Sequence, residues 1–117
     1  MALGLQTGRV GSFVGEGLVS VQALKQTEKQ FQTAVVEYAE LNGWLVYHTY
    51  DSRRSNPGFP DLVMARGYRL VFAELKSEKG RESRAQTEWL DALGRATPEV
   101  WLWRPSDWPE IEGVLAR

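Results

Sequence analysis

The sequence predicts an α/β fold in which a mixed sheet is flanked by helices and followed by one more helix at the C-terminus. Three observations lead there. Thr27 and Ser83 each stand three residues before a glutamine, Gln30 and Gln86, which is the form of a capping box at a helix start. Between those helix starts lie three short runs of apolar, β-branched and aromatic residues, close enough in sequence to pair as an antiparallel meander. A fourth such run, Val100–Trp103, follows the second helix, and a strand reached through a helical crossover pairs parallel to its sheet neighbour.

The elements follow in order. Residues 1–26 hold five of the eleven glycines and no sustained period, so they are expected to form a flexible leader or an oligomerisation arm outside the domain at 27–117. After the Thr27 cap, Phe31, Ala34, Val35, Tyr38 and Leu41 recur at helical spacing and predict one buried stripe. Asn42-Gly43 stops that helix, because glycine adopts the left-handed conformation at little cost. A strand over 44–50 places Trp44, Val46, His48 and Tyr50 on one face. The loop 51–60 carries Arg53-Arg54 and two prolines, and delivers Asp61 to a second strand, Leu62–Ala65. A turn at Arg66-Gly67 leads to a third strand over about 68–75. The second helix runs from its Ser83 cap to about Gly94, with Trp89, Leu90 and Leu93 turned inward. Ser106 or Asp107 caps the last helix, whose first turn tolerates Pro109.

At 117 residues the chain is one domain with room for a hydrophobic core. No apolar run is long enough to cross a bilayer, which leaves a membrane role unsupported, and the first residues lack the basic-then-apolar form of a secretory signal. A cytoplasmic location is therefore expected. With no cysteine there is neither a disulfide nor a thiolate metal site, and one histidine makes a histidine-rich zinc site implausible. A divalent ion would need oxygen ligands, which favours Mg²⁺ or Mn²⁺. The net charge of −1 argues against a general DNA-coating protein. Charge is nonetheless unevenly placed: residues 51–84 carry eight basic and five acidic side chains, net +3, against six and ten elsewhere, net −4.

The chemistry concentrates in Gly58–Lys76. Glu74 and Lys76 share one face of the third strand with Leu70 and Phe72, about 7 Å apart along it. A carboxylate and an ammonium on an apolar strand are costly to desolvate unless paired or bound to a metal. Twelve residues separate Asp61 from Glu74, the spacing that two adjoining strands need to bring the carboxylates together. A cation between Asp61 and Glu74, with the Leu75 backbone carbonyl as a further oxygen, would lower the pKa of a bound water and polarise a phosphoryl oxygen. Lys76 would orient the water or neutralise charge on phosphorus. The chemistry implied is phosphodiester hydrolysis. Adjacent Arg53 and Arg54 suit bidentate phosphate contacts, and Lys79, Arg81 and Arg84 are further candidates for nucleic-acid binding. His48 reads as a hydrogen-bonded strand histidine, and Trp101 and Trp103 as core or subunit contacts.

Pro60-Asp61 followed by Glu74-Leu75-Lys76 resembles the active-site pattern of the PD-(D/E)XK nuclease superfamily. With Gly58-Phe59 before it and Gly80 and Gln86 after it, the stretch resembles the small stand-alone phage type of the virus-type replication-repair nuclease (VRR-NUC) branch, over about residues 27–110. The resemblance implies a restriction-endonuclease-like αβββαβ core and a Mg²⁺- or Mn²⁺-dependent nuclease. It makes Asp61 and Glu74 ligands and Lys76 the catalytic lysine. Glu28 holds the place of a first-helix glutamate that often joins the metal, and Gln86 that of a glutamine after the catalytic strand. It also implies a homo-oligomer, dimer or tetramer, acting on branched or Holliday-junction DNA in the cytoplasm of a phage host. The competing reading is a non-catalytic DNA-binding module on the same fold. Gln86 also has a structural explanation, a hydrogen bond returned to the Ser83 amide.

Overall fold

The computed structural model describes residues 25–49 and 54–117. Helix α1 (Glu28–Leu41) leads to strand β1 (Leu45–His48), then β2 (Leu62–Arg66), β3 (Arg69–Leu75), helix α2 (Arg84–Ala96) and β4 (Val100–Trp103). A 3-10 turn, Pro105–Asp107, then opens helix α3 (Trp108–Ala116). The sheet order is β1-β2-β3-β4, with both pairs of the meander antiparallel and β3–β4 parallel. This is the mixed, helix-flanked sheet that the meander and the crossover predict.

Both capping boxes form. Thr27 Oγ1 accepts from the Gln30 amide, and Gln30 Oε1 accepts from the Thr27 amide, each at 3.0 Å. Ser83 and Gln86 repeat the arrangement at the head of α2. Gly43 ends α1 with φ +87°, and Gly67 takes φ +61° in the two-residue turn joining β2 to β3, a sign that a primed hairpin turn demands.

The core fills one side of the sheet. Phe31, Val35 and Ala39 of α1 and Ile111, Val114 and Leu115 of α3 pack on Leu62 and Met64 of β2, Val71, Ala73 and Leu75 of β3, and Trp103. The opposite side is covered by Phe59, whose ring meets Phe72 edge-on at 6.0 Å and Trp89 of α2 at 5.0 Å. Trp89 therefore packs on a loop phenylalanine, while Leu90 is the residue of α2 that is buried.

Three expectations change. Leu41 is 84% exposed, because the buried stripe of Phe31, Val35 and Ala39 centres on Val35, and six residues at 100° per residue carry Leu41 about 120° around the helix from it. Helix α2 passes Gly94 and ends at Ala96, where the Thr97 amide donates to the Leu93 carbonyl at 2.9 Å. Asp107 holds the N-cap position of α3, one of the two expected, but its side chain makes no capping bond there: its Oδ2 accepts from the Arg104 amide at 2.8 Å at the head of the 3-10 turn, while the Ser106 hydroxyl donates to Glu78. The expected leader lies outside the described residues apart from Lys25 and Gln26, as do Tyr50 and Arg53.

The hairpin turn explains part of the basic excess. Arg66 donates to the carbonyls of Asn42, Leu115 and Arg117, and Arg69 forms a bidentate pair with Glu99 and donates to the Val114 carbonyl. Both guanidinium groups lie over the Trp44 ring, at 4.6 and 4.9 Å from its centre. Two of the eight basic residues counted in 51–84 therefore close the end of α3, at the end of the hairpin away from Asp61, and do not add to the charge around it.

Candidate functional site

The β2–β3 register explains how the two carboxylates meet. Leu62 pairs with Ala73, so one further step along the ladder sets Asp61 opposite Glu74. Gly58 and Pro60 deliver Asp61 to that position. Gly58 has φ +94°, and a Cβ there would stand 2.5 Å from the Ala85 backbone. Only glycine lets this loop lie so close to the first turn of α2.

Asp61 Oδ2 accepts from the Leu75 amide at 2.9 Å, which ties the head of β2 to the end of β3. A strand residue directs its N–H and C=O to the same side, so the Leu75 carbonyl also points toward Asp61. Lys76 is fixed through its amide, which donates to the Trp103 carbonyl at 3.0 Å, and its Nζ stands 3.6 Å from Glu74 Oε2. Gln86 serves two functions at once. Its Oε1 accepts from the Ser83 amide at 2.7 Å and its Nε2 donates to Glu74 Oε2 at 2.8 Å. The helix cap and the contact to the carboxylate are made by opposite ends of one amide.

Glu74 is 1% exposed and its Oε1 is buried with no hydrogen-bond partner. Burial, and then the negative charge of Asp61, push its carboxyl up to about 8, against the opposing pull of Lys76. Asp61 is also raised by burial, with the Leu75 amide and Lys76 working the other way. A lone oxygen in such a place is costly, and it is the kind of orphan that a cation would satisfy.

Glu28, in the first turn of α1, completes the group: one carboxylate oxygen each from Glu28, Asp61 and Glu74 lie within 4.8 Å of one another. These three carboxylates gather beside the Lys76 ammonium, which stands 3.6 Å from Glu74. The donor set is all oxygen, which fits a hard divalent ion of the Mg²⁺ or Mn²⁺ kind.

The basic candidates divide. Arg53 lies outside the described residues. Arg54, Lys79, Arg81 and Arg84 are exposed in the segments flanking the cluster; Arg84 pairs with Glu88 at 3.7 Å on an open helix surface, a contact of little energy. His48 has the hydrogen-bonded setting expected of it, with Nδ1 3.4 Å from Gln32 Nε2.

One organising residue has no sequence pattern that points to it. Arg104 donates to the carbonyls of Ser77, at 3.0 Å, and Gly80, at 2.6 Å, and so clamps the turn that follows Lys76. A Cβ on Gly80 would stand 3.0 Å from Ser77 Oγ, so the turn is tight. An isolated arginine after a strand carries no such message until the crossover brings β4 beside β3. Compared with protein-family models, with curated proteins and with solved structures, the chain matches none.

Proposed function

We propose that the chain is a Mg²⁺- or Mn²⁺-dependent endodeoxyribonuclease that hydrolyses phosphodiester bonds, on the restriction-endonuclease-like plan that its PD-(D/E)XK and VRR-NUC resemblance implies. The observation that carries this reading is the buried, unpartnered Glu74 Oε1 set among Asp61, Glu28 and Lys76 at one end of the sheet. Glu74, Asp61 and the Leu75 carbonyl would hold the ion, with Glu28 as the ligand from α1. A divalent cation there supplies Lewis-acid polarisation of a phosphoryl oxygen and a bound water of lowered pKa.

The side chains divide the remaining work. Gln86 holds the Glu74 carboxylate in one orientation, and the Leu75 amide does the same for Asp61. Lys76, held at the end of β3, offers its ammonium to negative charge developing on the phosphoryl oxygens. In hydrolysis the water oxygen bonds to phosphorus, the bond from phosphorus to a sugar oxygen breaks, and that oxygen leaves with a proton. Arg54, Lys79 and Arg81 are the described side chains that would meet neighbouring phosphates. Branched or junction DNA, a phage-type setting and a homo-oligomer bringing two such sites to one junction are the further content of the resemblance.

The decisive assay is cleavage of supercoiled plasmid and of four-way junctions with Mn²⁺, Mg²⁺ or EDTA. Cutting is expected with either metal and none in EDTA. Lys76→Ala is expected to lose cleavage and to keep DNA binding. Equal cutting in EDTA, or normal cutting by Lys76→Ala, overturns the mechanism. Binding without cutting under every metal condition would leave the DNA-binding module in its place.

A further inference from the structure

We infer that the face of the sheet over β1 and β2 that the described residues leave uncovered, centred on Tyr47, is a binding surface for the bases of a single-stranded DNA segment that passes the acidic cluster. This rests on the nuclease reading above for the identity of the polyanion.

The register assembles the surface. Leu45 pairs with Ala65 and Ala65 with Leu70, so these three side chains form one row across the sheet. Tyr47, Val63 and Phe72 form the next row. Thr49 donates its amide to the Asp61 carbonyl at 3.2 Å, and Asp61 stands opposite Glu74, so the third row is the site itself. Phe59 covers the β3 end of the middle row through Phe72. Toward β1 the face is open: Leu45 is 79% exposed, Tyr47 63% and Leu70 45%. Single exposed apolar residues are ordinary, but contiguous ones on a sheet face mark a surface that something occupies.

Charge and chemistry select the occupant. Among the described residues the surface carries no charged side chain, and it runs into the end of the sheet flanked by Arg54, Lys79 and Arg81, which are exposed and form no ion pair among those residues. An apolar aromatic platform continuous with a cationic rim is complementary to a strand whose bases are uncharged and whose backbone is anionic. Tyr47 lies two residues along and one strand across from Asp61, a diagonal of about 7 to 8 Å. That places a stacked base beside the phosphate nearest the carboxylates. Bases within a duplex are already stacked and paired, so only an unpaired base can lie on the Tyr47 ring.

The test is fluorescence anisotropy of the full chain, in EDTA, with fluorescein-labelled oligothymidylate and a duplex of equal length. Wild type is expected to prefer the single strand. Tyr47→Ala is expected to weaken single-strand binding about 5- to 150-fold while the slope of log K against log salt stays the same, because stacking releases no counterions. Tyr47→Phe retains the ring and is expected to bind as wild type. Unchanged affinity in Tyr47→Ala, or an equal loss on duplex, overturns the inference. So does light scattering that shows a wild-type dimer and a monomeric Tyr47→Ala, since that assigns the face to a second copy. Because the measurement needs no metal, it stands if the cleavage test fails; intact cleavage with a silent Tyr47→Ala removes only the base-binding face.

Discussion

Removing the charge of Glu74 should make the metal-free protein more stable at neutral pH. The carboxyl titrates near 8 in the fold against an ordinary value of 4.5. Between those values the native state holds a proton that the unfolded chain has released, so stability falls as pH rises through the window. Linkage puts the loss at about 3 kcal/mol by pH 7 and about 4 kcal/mol by pH 8, shared with Asp61 because the two carboxyls titrate as a pair. Glu74→Gln keeps the side-chain shape and abolishes that titration. In EDTA, urea unfolding from pH 5 to pH 8 should show wild type losing stability relative to the variant, the two converging toward pH 5. Saturating Mn²⁺ should reverse the ranking at pH 8, because the ion binds the ionised carboxylate of the native state. A wild-type stability that stays level relative to Glu74→Gln across this range would refute the argument, since the buried carboxylate would then be satisfied without an ion.

Gly58→Ala should destabilise the fold by about 2 to 4 kcal/mol, seen as a lower denaturation midpoint, because the added methyl meets the Ala85 backbone at a positive φ. Ser83→Ala should cost about 1 kcal/mol and leave metal affinity nearly unchanged, whereas Gln86→Ala should also weaken Mn²⁺ binding about 10- to 100-fold by calorimetry. Arg69 holds the Glu99 carboxyl below its ordinary value, so this pair stabilises the fold above that value and loses its contribution as pH falls through the lowered one. Arg69→Ala should accordingly shift the acid-unfolding midpoint to higher pH.

Much of the fold was legible because its signals are local. Thr27 and Gln30, or Ser83 and Gln86, need only three residues to declare a helix start, and Gly43 and Gly67 mark chain reversals by their own conformational freedom. The opposition of Asp61 and Glu74 was legible too, since a hairpin converts sequence spacing into register. Arg66 and Arg69 were not. Counted by position they belonged to a basic cluster, and their partners, Glu99 and the carbonyls near Leu115, are set by tertiary packing. Leu41 shows the same limit on a smaller scale, for a periodic pattern does not say which of two neighbouring stripes faces inward. The open face around Tyr47 could not be read either, because alternation along β1 says which residues share a face and not whether anything covers it.

The enclosure of Trp44 bears on the order in which the chain takes shape as it is made. Its indole N–H is satisfied at 2.8 Å by the carbonyl of Leu115, 71 residues downstream, and its ring lies under two arginines that also reach the last turn of α3. The hairpin and α1 are complete long before that partner exists. During synthesis the apolar side of the sheet must therefore wait, exposed, for the final helix. A ribosome-bound chain ending shortly before Leu115 should remain sensitive to protease along α1, and protection should appear in one step once α3 has cleared the exit tunnel.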